Sequence, residues 1–169
     1  MSEVDELIAD LERGHAGTPW HGPSRAAVLV DVSAEEAVWS PRGGVHSIWE
    51  IVLHMTGWTD EAARRLRGGV PDYPAVGDWP AVPLAATEAE WAHALAVLDD
   101  AHQELVTTLR AMKPVSLAEM IGNVSNTHLD LRVSYAAMVR GIAQHDAYHT
   151  GQIVILKKLF RSRPVASAL

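Results

Sequence analysis

The sequence predicts an all-α protein, a four-helix bundle with a long crossover between its second and third main helices. Apolar residues recur with a period of 3.6 residues in four long stretches, which is the pattern of amphipathic helices. Serine or threonine followed three residues later by glutamate opens two of these stretches, as in a capping box. Prolines and glycines interrupt the segment 69–83, which therefore predicts an irregular crossover.

The first main helix lies near the N-terminus and is followed by short elements. Its apolar face consists of Val4, Leu7, Ile8 and Leu11. This helix is expected to end near Gly14, and the loop 17–23 leads into an apolar stretch over 25–30. Ser33 and Glu36 have the spacing of a capping box and predict one short extra turn.

The second main helix has the clearest limits. Ser47 and Glu50 form a capping box at its start, and the glycines 68–69 predict its end. One face of this helix carries Ile51, His54, Met55, Trp58 and Ala62. The third main helix is predicted to begin at Thr87 and to end before Pro114.

The segment 115–133 has no single interpretation. Its polar residues suggest turns, whereas Leu129, Leu131 and Val133 alternate as in a short extended piece. The last helix is predicted from Ser134 to Phe160. Its apolar face holds Met138, Ile142, His145, His149, Ile153 and Leu156. We expect one domain over residues 1–169, since this length suits a single core.

Composition excludes several classes of function. The formal charge of −7 and the absence of a basic run argue against a nucleic-acid partner. The chain has no cysteine, which excludes disulfides, thiolate ligands and a cysteine nucleophile. No apolar run approaches the roughly 20 residues that a membrane span needs. The N-terminus is acidic and lacks an apolar signal core, so we expect a cytoplasmic protein without a membrane partner.

Two histidines near the C-terminus indicate metal chemistry. His145 and His149 lie four residues apart and share one helix face, where two neutral imidazoles can bind one divalent metal. Such pairs also arise by chance, as one core and one solvated histidine. His54, on the apolar face of another helix, adds a third imidazole. The alternative for His54 is a buried neutral ring bonded to a backbone carbonyl.

The segment 145–149 also has the layout of a zinc protease motif, with Asp146 where the general-base glutamate would stand. Aspartate is one methylene shorter and would hold the attacking water differently. No histidine, aspartate or glutamate follows His149, so a downstream third ligand cannot exist. These two departures exclude the protease interpretation.

Three polar residues are candidates for supporting roles at the histidines. A carboxylate often accepts the second N–H of a metal-bound imidazole, and Glu50 and Asp146 are placed for this. The alternatives are a simple cap for Glu50 and a solvated acid for Asp146. Gln152, one turn after His149, would contact a water at the metal or link two helices.

The histidine segments 47–54 and 145–153, together with the loop 20–24, resemble the DinB/YfiT-like metalloenzymes, and the resemblance covers nearly the whole chain. It implies a four-helix bundle in which His54, His145 and His149 bind one divalent metal. It also implies a homodimer. Members of this family include bacillithiol transferases and mycothiol-dependent maleylpyruvate isomerases.

Three neutral imidazoles leave an open coordination position, which is typical of catalytic zinc sites. Zinc is the first choice of metal, and nickel or iron suits the same ligands. We therefore expect a metal-dependent thiol S-transferase that acts on a small electrophilic substrate. The low-molecular-weight thiol would come from outside, because the chain has no cysteine. The alternatives are a metal-dependent hydrolase and a non-catalytic stress protein that binds metal or ligand.

Overall fold

The computed structural model describes residues 1–41, 43–121 and 133–164, which form six α-helices and one 3₁₀ helix. The α-helices are α1 (Glu3–His15), α2 (Arg25–Leu29), α3 (Ala34–Val38), α4 (Ile48–Leu66), α5 (Glu88–Ala111) and α6 (Tyr135–Arg161). The 3₁₀ helix spans Pro114–Ala118. Within these ranges the β-structure amounts to one isolated bridge between Met120 and Ser134. The prediction of an all-α protein is confirmed.

The helices begin where the capping signals predicted. The Ser47 hydroxyl accepts from the Glu50 N–H at 3.2 Å, and the Glu50 carboxylate accepts from the Ser47 N–H at 2.7 Å. Thr87 and Glu90 form the same reciprocal pair at the start of α5. The Ser33 hydroxyl caps the short helix α3, as its spacing indicated.

None of the helices in the described ranges is long and apolar enough to cross a membrane.

The 3₁₀ helix occupies the start of the ambiguous segment 115–133, and the Ile121 N–H donates to the Val133 carbonyl at 3.0 Å. The suggested extended piece at Leu129 and Leu131 lies outside the described residues.

The long helices share two apolar cores. The first core contains the first halves of α4 and α5, the second half of α6, and both α2 and α3. The second core contains α1, the second halves of α4 and α5, and the first half of α6. Helices α4 and α5 therefore run in the same direction and α6 runs opposite to them. The crossover from Arg67 to Thr87 returns the chain to the end at which α4 began.

A layer of buried polar side chains lies between the two cores. On α5 it contains His102, and on α6 it contains Asp146, His149 and Thr150. Buried polar groups are costly unless they are paired, so a layer of this kind in the middle of a helical protein calls for a specific explanation.

The crossover packs directly against α4. The buried Glu61 carboxylate accepts from Arg64 and Arg65 and from the Asp72 N–H. A Cβ atom on Gly57 would lie 3.1 Å from the Cβ of Pro74, closer than an ordinary contact. Glycine at this position therefore lets the crossover approach α4 closely.

Candidate metal centre

The structure brings His54, His145 and His149 together. One ring nitrogen from each of the three lies within 4.8 Å of those from the other two. The Nε2 atoms of His54 and His145 are 3.0 Å apart. His54 comes from α4, and the other two stand one turn apart on the facing side of α6. The helical spacing within α6 and the packing of α4 against it therefore place three imidazoles around one point.

Two of the three rings are oriented through their second nitrogen. His54 Nδ1 donates to the Asp78 carbonyl at 2.6 Å, and His149 Nδ1 donates to the Gln152 Oε1 at 2.7 Å. Each bond leaves an unprotonated Nε2, because a neutral imidazole carries one N–H. His145 Nδ1 is buried and has no hydrogen-bond partner among the described residues.

The donor set fits a divalent metal. His54 Nε2 carries a lone pair that faces His145 Nε2 at 3.0 Å, an arrangement that a shared cation would stabilise. Two imidazole nitrogens bound tetrahedrally at about 2.0–2.1 Å from zinc lie about 3.3 Å apart. The observed separation is close to this value, and the ligand atoms are all neutral nitrogen, which zinc, nickel and iron accept.

Burial keeps the rings of His145 and His149 neutral. It lowers the pKa of His145 to about 4, and the neighbouring His149 and His54 act in the same direction. Burial also lowers the pKa of His149, against the opposing effect of its bond to Gln152. At neutral pH both rings therefore retain the lone pair that a metal requires.

A cavity of about 1120 Å³ adjoins the three histidines. Aliphatic side chains of α6 form much of its wall, including Ile155 and Leu159. Aromatic rings line the part nearest the histidines, namely His46, Trp58, Trp79 and Tyr148. The cavity is large enough for a small ligand, and its lining favours apolar groups.

One wall of the site comes from the crossover. Trp79 stacks on His54 with ring centroids 3.9 Å apart, and its other face stacks on His46 at 3.6 Å. The preceding residue, Asp78, accepts a hydrogen bond from Trp58 Nε1 at 2.8 Å. Sequence reasoning missed Asp78 and Trp79, because an irregular segment has no periodicity. The one available signal was a tryptophan among prolines.

Of the three supporting candidates, Glu50 has the capping partner that its alternative predicted, whereas Asp146 and Gln152 have partners that were not predicted. Glu50 caps α4 and lies 3.5 Å from His46 Nδ1. Asp146 pairs with Arg25 at 2.6 Å, within the buried layer. Gln152 bonds the ring of His149 on its own helix rather than linking two helices. His54 Nδ1 bonds a backbone carbonyl, as the alternative interpretation of this residue predicted. This bond leaves His54 Nε2 able to bind a metal.

A second pair of histidines consists of the half-buried His15 and the buried His102. His15 and His102 stack with ring centroids 4.0 Å apart. The Arg25 guanidinium, which also binds Asp146, donates to His15 Nδ1 at 2.9 Å. This nitrogen is therefore occupied by a cationic donor, and the group does not share the convergent lone pairs of the first three histidines.

Comparison with known proteins gives one result. The model of the DinB superfamily matches residues 23–153, which include all three convergent histidines and the crossover. Searches of the curated proteins and of the solved structures found no significant match. The matched range is more than half of the chain.

Proposed function

Because the chain belongs to the DinB superfamily, we propose that it is a metal-dependent enzyme that transfers a small external thiol to an electrophilic substrate. His54, His145 and His149 would hold the metal, with zinc as the first choice and nickel or iron as alternatives. The observation that carries the proposal is the convergence of three imidazoles beside an apolar cavity. A divalent metal at such a site lowers the pKa of a group in its open position and so favours a nucleophile at neutral pH.

The proposed scaffold is a single-domain four-helix bundle of α1, α4, α5 and α6, with the crossover between α4 and α5. Its support is that α4, α5 and α6 contribute to both apolar cores and that α1 packs in the second. Bundles place metal ligands on facing helices, as α4 and α6 do with the three histidines. We also propose a homodimer on the basis of the resemblance, and the cytoplasmic location stays a prediction from the sequence.

The residues around the metal ligands would orient them and exclude water. The Asp78 carbonyl and the Gln152 amide oxygen each hold one ring with its Nε2 unprotonated. The Trp79 indole covers one face of His54. These contacts fix two of the three donors before any metal arrives, which reduces the cost of ordering the site.

The cavity selects the substrate by its apolar lining. Ile155, Leu159 and Tyr148 offer contact surface for an apolar or aromatic group. Arg65 also lines the cavity, but its charge is balanced by the buried Glu61 carboxylate at 2.7 Å. We therefore propose an electrophile with an apolar body as the small-molecule substrate.

Hydrolysis is the second candidate, and one contact favours it. The Asp78 carboxylate lines the cavity and lies 3.3 Å from His54 Nδ1. An exposed carboxylate at this position can accept a proton from a water held in the cavity. Asp146 and Glu50 are less suited to this role, since they pair with Arg25 and the α4 N-terminus.

The experiment is an assay of the zinc-loaded protein with a panel of electrophiles, each with and without low-molecular-weight thiols. Thiol transfer predicts that an apolar electrophile is consumed only when a thiol is present, and that His54→Ala abolishes this consumption. His93→Ala is the matched control, because His93 is exposed on α5. Consumption that does not depend on thiol contradicts transfer and supports hydrolysis. If no electrophile is consumed with any thiol or without one, both thiol transfer and hydrolysis are contradicted. That result supports the non-catalytic protein that binds metal or ligand.

A further inference from the structure

We infer that Trp79 is a positioning residue for His54, and that the crossover orients this ligand through two consecutive residues. The inference rests on the proposed metal site, since it concerns how one of its ligands is held. Asp78 supplies the hydrogen-bond acceptor and Trp79 supplies the stacking surface. Both residues lie in the irregular segment between α4 and α5.

The two contacts constrain different motions of the imidazole. The hydrogen bond from His54 Nδ1 to the Asp78 carbonyl, at 2.6 Å, fixes which nitrogen carries the proton. The stack fixes the plane of the ring, because the indole and the imidazole are 8° from parallel at 3.9 Å. Together they direct His54 Nε2 at His145 Nε2.

The indole is itself held from both sides. His46 stacks on the face away from His54, with an interplanar angle of 1° and a centroid distance of 3.6 Å. His46 Nδ1 in turn lies 3.5 Å from the Glu50 carboxylate that caps α4. Asp78 is anchored separately, through the bond that its carboxylate accepts from Trp58. Both residues of the crossover are therefore tied to α4.

The position of Trp79 favours this role over simple core packing. Trp79 is 37% exposed, whereas Trp49 and Trp91 are buried in the first apolar core. A tryptophan at a partly exposed site stabilises the fold less than a buried one, since the gain scales with the apolar area removed from water. The main partners of Trp79 are the two imidazoles, one of which is a proposed ligand.

The first test is zinc affinity measured by calorimetry on three variants. Trp79→Ala is expected to weaken zinc binding about 10- to 100-fold, the usual effect of losing an outer contact of a metal ligand. Trp79→Phe keeps an aromatic surface and is expected to stay within about threefold of the wild type. Trp20→Ala, which removes a fully exposed tryptophan, is the control and should leave the affinity unchanged.

The second test does not depend on metal. Nitrogen-15 spectra of the histidine side chains in metal-free protein should show His54 as the Nδ1–H tautomer in the wild type and in Trp79→Phe. In Trp79→Ala the imidazole is free to turn out of the plane in which its Nδ1 reaches the Asp78 carbonyl. Without that hydrogen bond neither tautomer is favoured, so we expect a mixture of tautomers, with an unchanged helical circular-dichroism signal. This spectrum separates the inference from the metal proposal, because a wild type that binds no zinc refutes only the latter.

Three results would overturn the inference. One is a Trp79→Ala protein with wild-type zinc affinity. Another is a tautomer of His54 that does not change in that variant. The third is an equal loss of zinc affinity in Trp79→Phe and Trp79→Ala, which would show that an aromatic stack is not what positions the ring.

Discussion

The protein contains two groups of histidines, each with one member whose pKa is strongly lowered by burial, and the groups differ in what their ring nitrogens face. Burial lowers the pKa of His145 to about 4 and that of His102 to about 3. In the first group, His54, His145 and His149 direct ring nitrogens at one point beside a cavity. In the second, His15 and His102 stack together and His15 accepts from Arg25. A lowered pKa therefore does not identify a site by itself, whereas convergent lone pairs do.

The second group belongs to the part of the buried layer that stabilises the fold. Arg25 is 2% exposed and joins α2 to α6 through Asp146, with a nitrogen–oxygen distance of 2.6 Å. The adjacent residue, His145, faces α4 instead. Neighbouring positions on one helix thus serve stability on one side and the candidate metal site on the other.

The largest expected effect on stability comes from breaking this ion pair. Asp146→Ala leaves the buried guanidinium without its carboxylate, and we expect the free energy of unfolding to fall by about 3–5 kcal/mol. Urea denaturation monitored by circular dichroism measures the change. Asp99→Ala is the control, since Asp99 is exposed and lies 3.9 Å from His15. A loss below about 1 kcal/mol in Asp146→Ala, in line with the usual surface range, would show that the pair does not have this role.

A smaller effect on the free energy of unfolding is expected when acid protonates His102. Its folded pKa of about 3 lies below the ordinary value of 6.5, so the unfolded chain binds the proton more tightly. This stabilisation is complete above pH 6.5 and is lost as the pH falls from 6.5 towards 3, by at most about 1.4 kcal/mol per pH unit. In metal-free protein, His102→Gln should therefore lose stability less steeply than the wild type between pH 7 and 5. Parallel curves of unfolding free energy against pH for the two proteins would contradict this. The control variant His93→Gln should follow the wild type.

Much of the fold was predictable because its signals are local. Ser47 with Glu50 and Thr87 with Glu90 each combine a cap and its partner within one turn. The apolar periodicity of α6 placed His145 and His149 on one face, and that of α4 placed His54 inward. The family resemblance then joined His54 on α4 to the histidine pair on α6.

The remaining contacts of the site were not predictable, since they depend on tertiary structure. Arg25 and Asp146 are 121 positions apart, and no motif in the sequence links them. Asp78 and Trp79 reach His54 because the crossover packs on α4 at Gly57, a contact that hydrophobic periodicity does not encode. Gln152 was correctly placed near the ligands, but its contact with His149 is a local one within α6.

The most direct test of the metal site is the zinc content of purified protein after loading and dialysis, measured by elemental analysis. The wild type is expected to retain about one zinc ion per chain, and His93→Ala should do the same. His145→Ala/His149→Ala removes two of the three imidazoles and is expected to retain none, because one histidine cannot replace a three-ligand site. Full zinc occupancy in this double variant would contradict the assignment of His54, His145 and His149 as ligands.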